Sequence, residues 1–119
     1  MERFRWISHR ELRVLVNDYS GLSGEALVAQ VCDFRERILA LGDERVYLLI
    51  RSDDAVNVHG RALAELAKNA TLLRPRLVRT AVVGATPLQA TVIDSVNAIS
   101  GLGARAFDSE REALDWLTE

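Results

Sequence analysis

Val46-Tyr47-Leu48-Leu49-Ile50 is apolar at every position, and the polar stretch Arg51-Ser52-Asp53-Asp54 follows it directly. A strand with one wet face alternates apolar and polar residues, so an unbroken run of this length reads as a strand covered on both faces. Outward from it, one cassette recurs four times between Leu12 and the C-terminus: an apolar β-type run, a short polar turn and an amphipathic helix. Leu77 to Val83 is another covered strand, and Ala104 to Phe107 is a last, short one. Such alternation predicts a mostly parallel sheet with packed helices. In sheets of that kind a site is expected in the loops at the carboxyl ends of the strands.

Ahead of the first helix, Phe4 to Ser8 is β-prone, and Leu12 to Asn17 has the alternation of a strand. The turn His9-Arg10-Glu11 is too short for a crossover, so the two runs form an antiparallel hairpin whose first strand is the sheet edge. Asp18-Tyr19-Ser20-Gly21-Leu22 then leads into a helix with Ser23 as N-cap and Glu25 at the positive end of the dipole. Leu27, Val31, Phe34, Ile38 and Leu41 make its buried stripe, and Gly42 ends it. Asn57 is the expected cap of the second helix, whose inward face is Ala62, Leu63, Leu66 and Ala67. Pro75 and Arg76 interrupt the chain before Leu77. Thr86-Pro87-Leu88-Gln89 is a capping box with proline at the first helical position. It predicts a third helix with an inward stripe of Leu88, Val92, Val96 and Ile99, stopped by Gly101 and Gly103. Ser109-Glu110-Arg111-Glu112 is a second capping box, opening a helix that docks through Ala113, Leu114, Leu117 and Trp116. The expected fold is α/β: a five-stranded mixed sheet, with an antiparallel N-terminal edge strand and the rest mostly parallel, and four helices in one domain over residues 1–119.

Composition narrows the function classes. Hydrophobic residues make up 49% of the 119, which is ordinary for a globular chain that buries a core. The 15 basic and 17 acidic residues leave a net charge of −2 and are scattered, giving no electrostatic reason to expect nucleic acid or an anionic membrane. Apolar runs reach about five residues against the roughly 20 that span a bilayer, so no membrane insertion is expected. The stretch Met1-Glu2-Arg3-Phe4-Arg5-Trp6 has no apolar core of a signal peptide. Cys32 is the lone cysteine, which suits a reducing, cytoplasmic setting.

The element order and three stretches carry a family resemblance: Asp18-Tyr19-Ser20-Gly21-Leu22, Ala81-Val82-Val83-Gly84, and Phe107-Asp108-Ser109 with Ala113-Leu114-Asp115-Trp116-Leu117. The chain resembles the STAS (anti-sigma factor antagonist) superfamily, and within it the uncharacterised SpoIIAA-like branch. The resemblance implies a bacterial protein with a mixed sheet backed by helices, acting by binding rather than catalysis. Members that antagonise anti-sigma factors are regulated by phosphorylation of a serine at the start of the helix after the central strand. Laid over that Asp-Ser-Ser-Gly stretch, this chain reads His59-Gly60-Arg61-Ala62, so the regulated serine is missing. Ser52 stands earlier, ahead of the helix.

The strand ends gather Asp18, Asp53, Asp54 and Asp108, with Thr86 and Ser109 beside them. Clustered carboxylates can hold Mg²⁺ through oxygen ligands, but each of these residues also stands where a turn or cap is required. Receiver domains, which use that edge for metal, need an adjacent acidic pair after the first strand and a lysine after the last. Here Asp18 stands alone and the only lysine is Lys68. The reading is caps and turns, with no metal and no cofactor. His59 has no nucleophile at fixed spacing and reads as a surface residue, as does His9 in the hairpin turn. Gly84-Ala85-Thr86 lacks the glycine density of a phosphate loop. Arg74, Arg76 and Arg79 read as a solvated edge. Cys32 lies just off the first helix's stripe and reads as a small hydrophobe. Tyr19 and Trp6 are the aromatic residues placed to wall a pocket.

The function expected is a non-catalytic, STAS-like binding or regulatory module, forming a homodimer or contacting a protein partner. The alternative is a small-ligand domain for a nucleotide, lipid or metal, with its site at the carboxyl ends of the strands lined by Tyr19, Ser52, Asp53, His59 and Thr86.

Overall fold

The strands lie in the sheet in the order in which they leave the chain, and that order decides where everything else sits. The computed structural model describes residues 2–119; Met1, and with it the first residue of the N-terminal stretch read above, lies outside them. Strand β1 (Phe4–His9) pairs antiparallel with β2 (Leu12–Asp18) across a two-residue turn. Arg10 and Glu11 both have positive φ, 51° and 67°, the left-handed pair whose twist matches the flanking strands. Strands β3 (Val46–Arg51), β4 (Leu77–Val83) and β5 (Arg105–Phe107) then add parallel to one another and to β2, giving the order β1-β2-β3-β4-β5. The expected mixed sheet with an antiparallel N-terminal edge is therefore the observed one.

Helices α1 (Gly24–Ala40), α2 (Gly60–Leu73) and α3 (Pro87–Ser100) are the three crossovers, and α4 (Glu110–Leu117) closes the chain. Parallel crossovers are right-handed. Three of them stepping the same way across a sheet must all land on one face, leaving α4 to cover the other. The buried clusters agree. Leu15, Leu48, Leu73 and Leu77 meet Phe34 and Ile38 beneath α1 and α2, whereas Val14, Val16, Leu49 and Ala81 meet Ala113 and Leu117 of α4. A third cluster, with Tyr19, Leu27, Val31, Val56 and Ala62, joins the start of α1 to α2. Arg35 fastens the same pair of helices: it pairs with Glu65, and its Nε donates to Asn69 Oδ1 at 2.6 Å, while Asn69 Nδ2 donates to the Val31 carbonyl at 2.9 Å.

Several local expectations are corrected. Ser23 occupies the N-cap of α1 but its hydroxyl makes no capping bond. Helix α2 is preceded by His59 rather than Asn57, because Val56 and Val58 are drawn beneath α1 and hold the loop extended. On α3 the stripe is rotated: Leu88 and Ile99 are 75% and 72% exposed, and the helix instead turns Gln89 and Ser100 inward with Val92, Ile93 and Val96 half-buried. His9 does not face solvent freely; its Nε2 lies 2.9 Å from Asp115 Oδ1 on α4, with Arg10 at 3.2 Å from the same oxygen. Ser109 caps α4 by accepting from the Glu112 amide, but the Glu112 carboxylate takes the Ser109 hydroxyl rather than completing a box. Arg79 lies over Trp116 and donates to its carbonyl, so it belongs to the packing of α4 rather than to a solvated edge. Among the described residues no helix is long and apolar enough to cross a membrane.

Candidate functional site

A strand order without a reversal has no topological switch point, although a hollow of about 310 Å³ does lie between the loops after β3 and β4, beside Asp54, Asn57, Thr86 and Leu88. An apolar pocket lies elsewhere, between the three-helix face of the sheet and helices α2 and α3. It is a cavity of about 120 Å³. The sheet supplies its floor through Leu48, Ile50, Thr80 and Val82, alternate residues of β3 and β4 that point to one face. Leu66, Ala70 and Leu73 of α2 form one wall, and Val92, Ile93 and Val96 of α3 the other. The loop residues Val56, Val58 and Ala85 close the end nearest the strand termini, with Leu102 and Ala104 at the opposite end. Among the described residues no charged side chain lines it.

Gln89 holds the roof in place. Its Nε2 donates to the carbonyls of Asp53 (2.8 Å) and Val56 (2.7 Å), while its Oε1 accepts from Ser52 Oγ (2.9 Å) and from the Thr86 amide (3.2 Å). One buried amide thus satisfies both ends of the loop after β3 and the capping box of α3. This explains the rotated stripe: the helix turns so that Gln89 reaches inward, and Leu88 is left outside. Gly84 makes the junction. It has φ +84°, and a Cβ there would stand 2.2 Å from the Ser52 carbonyl oxygen, so no other residue fits without moving the backbone.

The five candidate residues do not form one site. Tyr19 and Ser52 line the cavity. Tyr19 is buried, and burial pushes its phenol above the ordinary value, so it stays neutral through the physiological range. Thr86 sits at the N-cap of α3, accepting from the Gln89 amide, and lines the rim hollow together with Asp54, Asn57 and Leu88. Asp53 turns its Oδ1 away, onto the amides of Gly21 (3.1 Å) and Ala55 (3.0 Å). His59 is exposed and lines neither space. Asp18 accepts from the Ser20 amide at 2.9 Å. Among the described residues no three His, Cys, Asp or Glu side chains gather as a metal-binding group. Trp6 lies on β1 under the Arg13 guanidinium, away from the cavity.

Sequence reasoning missed Thr80, Gln89 as a latch, and the inward face of α3. Thr80 had a visible signal, being a hydroxyl in the middle of a strand read as covered on both sides. It is 1% exposed, and its Oγ1 has no hydrogen-bond partner among the described residues.

No protein-family model and no curated protein matches the chain. Among solved structures it is similar to an uncharacterised DUF3478-family protein from Shewanella loihica PV-4 that has a SpoIIAA-like fold. The TM-score is 0.68 at 19% sequence identity, covering 96% of this chain and 91% of that one. The chain has the SpoIIAA-like fold that its sequence resemblance implied.

Proposed function

We propose that this chain is a non-catalytic binding module that takes a small apolar molecule between its sheet and helices α2 and α3. The observation that carries the reading is the cavity of about 120 Å³ lined almost wholly by carbon. Natural interiors are close-packed, with few voids larger than a water molecule, and a dry cavity on the order of 150 Å³ is enough to accept benzene. A pocket walled by carbon leaves apolar surface facing water, a cost that a bound apolar molecule would offset. Binding without chemistry fits the polar residues at the rim. Asp18, Asp53, Thr86 and Ser109 all have oxygens engaged by backbone amides, as turns and caps require.

Toluene is a suitable probe. Titrated into the ¹⁵N-labelled protein, it is expected to shift amides of β3, β4 and α3 around Leu48, Thr80 and Val96. It should also raise the thermal midpoint, since a ligand at 100 times its Kd stabilises by about 2.7 kcal/mol. An Ala70→Phe variant, which fills the cavity from α2, should keep its fold and lose both responses. Shifts confined to the exposed Leu88 and Ile99, or none at all, would refute the reading.

A further inference from the structure

We propose that two copies of this chain pair antiparallel through the outer face of α3. That helix carries one charged residue in 14, Asp94, whereas α4 carries four in eight. Leu88, Thr91, Ser95 and Ala98 are spaced by three, four and three, the seam of a packed helix pair. All four are exposed. Ile99 lies three turns beyond Leu88 on the same face, and these two are the most exposed large apolar side chains among the described residues. Thr91 Oγ1 donates to the Pro87 carbonyl at 3.3 Å and Ser95 Oγ to the Thr91 carbonyl at 3.1 Å, so neither hydroxyl needs a partner. The bonds of Gln89 to the loop hold this face outward. None of its residues lines the cavity, and the pairing stands independently of ligand binding.

The charges at the two ends of the face select the occupant. Asp54 stands beside Thr86 and Leu88 at the N-terminal end. At the other end the Arg74 guanidinium lies against Gly101, 3.5 Å from where a Cβ would stand. Both are exposed, and among the described residues neither forms an ion pair. Antiparallel packing of Leu88 against Ala98 and Ile99 of a second copy, with Thr91 against Ser95, sets Gly101 opposite the Ala85-Thr86 turn of that copy. A two-fold axis lying in the interface keeps the α2 sides of both copies together. Asp54 belongs to the loop entering α2 and Arg74 closes that helix, so each acid meets the other copy's base, twice. The register that buries the large side chains is thus the one that pairs the charges. A parallel pair would gather both acids at one end and both bases at the other. The face is complementary to itself, which is the signature of a second copy rather than an unrelated partner. Asp94 lies on the flank away from α2, where its repulsion from its own copy is that of an exposed, screened pair.

Sedimentation equilibrium over a wide concentration range gives the dimer Kd, with far-UV circular dichroism confirming that each variant folds. The wild-type protein should dimerise, and Leu88→Glu, at an exposed site, should be monomeric. Asp54→Arg or Arg74→Glu alone turns two attractive pairs into two repulsive ones and should weaken the dimer about tenfold. The double variant Asp54→Arg/Arg74→Glu exchanges the charges and should return the Kd to near the wild-type value. A monomer at every concentration would overturn the proposal, including one that binds neutral phosphatidylcholine vesicles through Leu88 and Ile99 instead. So would a dimer that survives Leu88→Glu, or a double variant no tighter than either single one.

Discussion

Replacing Thr80 by valine exchanges a buried hydroxyl for a methyl group of the same shape, and the sign of its effect on stability tests the cavity directly. At most buried sites the exchange destabilises, because a satisfied hydrogen bond worth about 1 kcal/mol is lost and its partner stranded. Here Oγ1 has no partner to strand. Leaving a hydroxyl unpaired in an apolar interior costs about 1–3 kcal/mol on the scale of protein mutations. The added methyl contributes up to about 0.8 kcal/mol more where it meets the floor of the cavity. Valine also suits a strand. Together these set the expected gain at about 2 kcal/mol, which for a chain of this size raises Tm by roughly 8 °C. Urea unfolding followed by far-UV circular dichroism measures it, with the m-value as control, since an unchanged slope shows that both end states are preserved. A loss of 1 kcal/mol or more would refute the reasoning, because it would mean that Oγ1 is hydrogen-bonded, for example to an ordered water.

Three further outcomes follow from the same structure. Gly84→Ala should destabilise by about 2 kcal/mol or more, since it adds a left-handed penalty to a 2.2 Å approach to the Ser52 carbonyl; a thermal midpoint within 2 °C of wild type, roughly 0.5 kcal/mol, would contradict that junction. Gln89→Leu strands the carbonyls of Asp53 and Val56, so it should cost about 1–3 kcal/mol and speed hydrogen exchange in residues 53–58 ahead of the sheet; unchanged exchange there would show that Gln89 is not the latch. Hydrogen bonds from Arg35 and His9 hold Glu65 and Asp115 below their ordinary 4.5 and 3.8. Groups with lowered folded values stabilise above the ordinary value and lose that contribution as pH falls through the folded one. Urea midpoints should therefore drop below about pH 4, and the gap between wild type and Glu65→Gln should close there. A gap of constant size from pH 7 to pH 3 would exclude the coupling.

The sheet was readable because its signals are local. An unbroken apolar run such as Val46–Ile50 has one sensible environment, and a hairpin loop of two or three residues has one sensible partner. The helices were readable in existence but not in rotation. On α3 the apolar residues Leu88, Val92, Ile93, Val96 and Ile99 are spread too widely to define one stripe. The winner was set by a polar contact, from Gln89 to carbonyls more than thirty residues earlier. The cavity was illegible for a related reason. A void is a property of what fails to meet, and no spacing in the chain records that α3 stands off from Thr80. The expected rim site followed from a rule about sheets that reverse their strand order; this sheet does not reverse, and the hollow at its rim lies between loops that follow neighbouring strands.

The two faces of the sheet show why the space lies under α3. On the far face, α4 meets β4 through Ala113 against Ala81, both fully buried. Two small residues in register let a helix approach closely, and Leu117 fills the remainder. On the near face, α3 meets the floor through Val92, Ile93 and Val96, none of them buried, opposite a threonine and a valine. Branched residues of that size keep a helix away from a sheet without filling the gap they create. Lengthening them would close the cavity, and the surface already holds the carbon to do so in Leu88 and Ile99. A rotation of α3 by about one residue, roughly 100°, would turn Leu88 toward the sheet, and the bonds of Gln89 forbid that rotation. The latch thus holds the helix in the one orientation that keeps the cavity open, and Gln89→Leu should shrink it. Toluene affinity lost in that variant while the fold persists would follow from this reasoning, and toluene affinity retained would refute it.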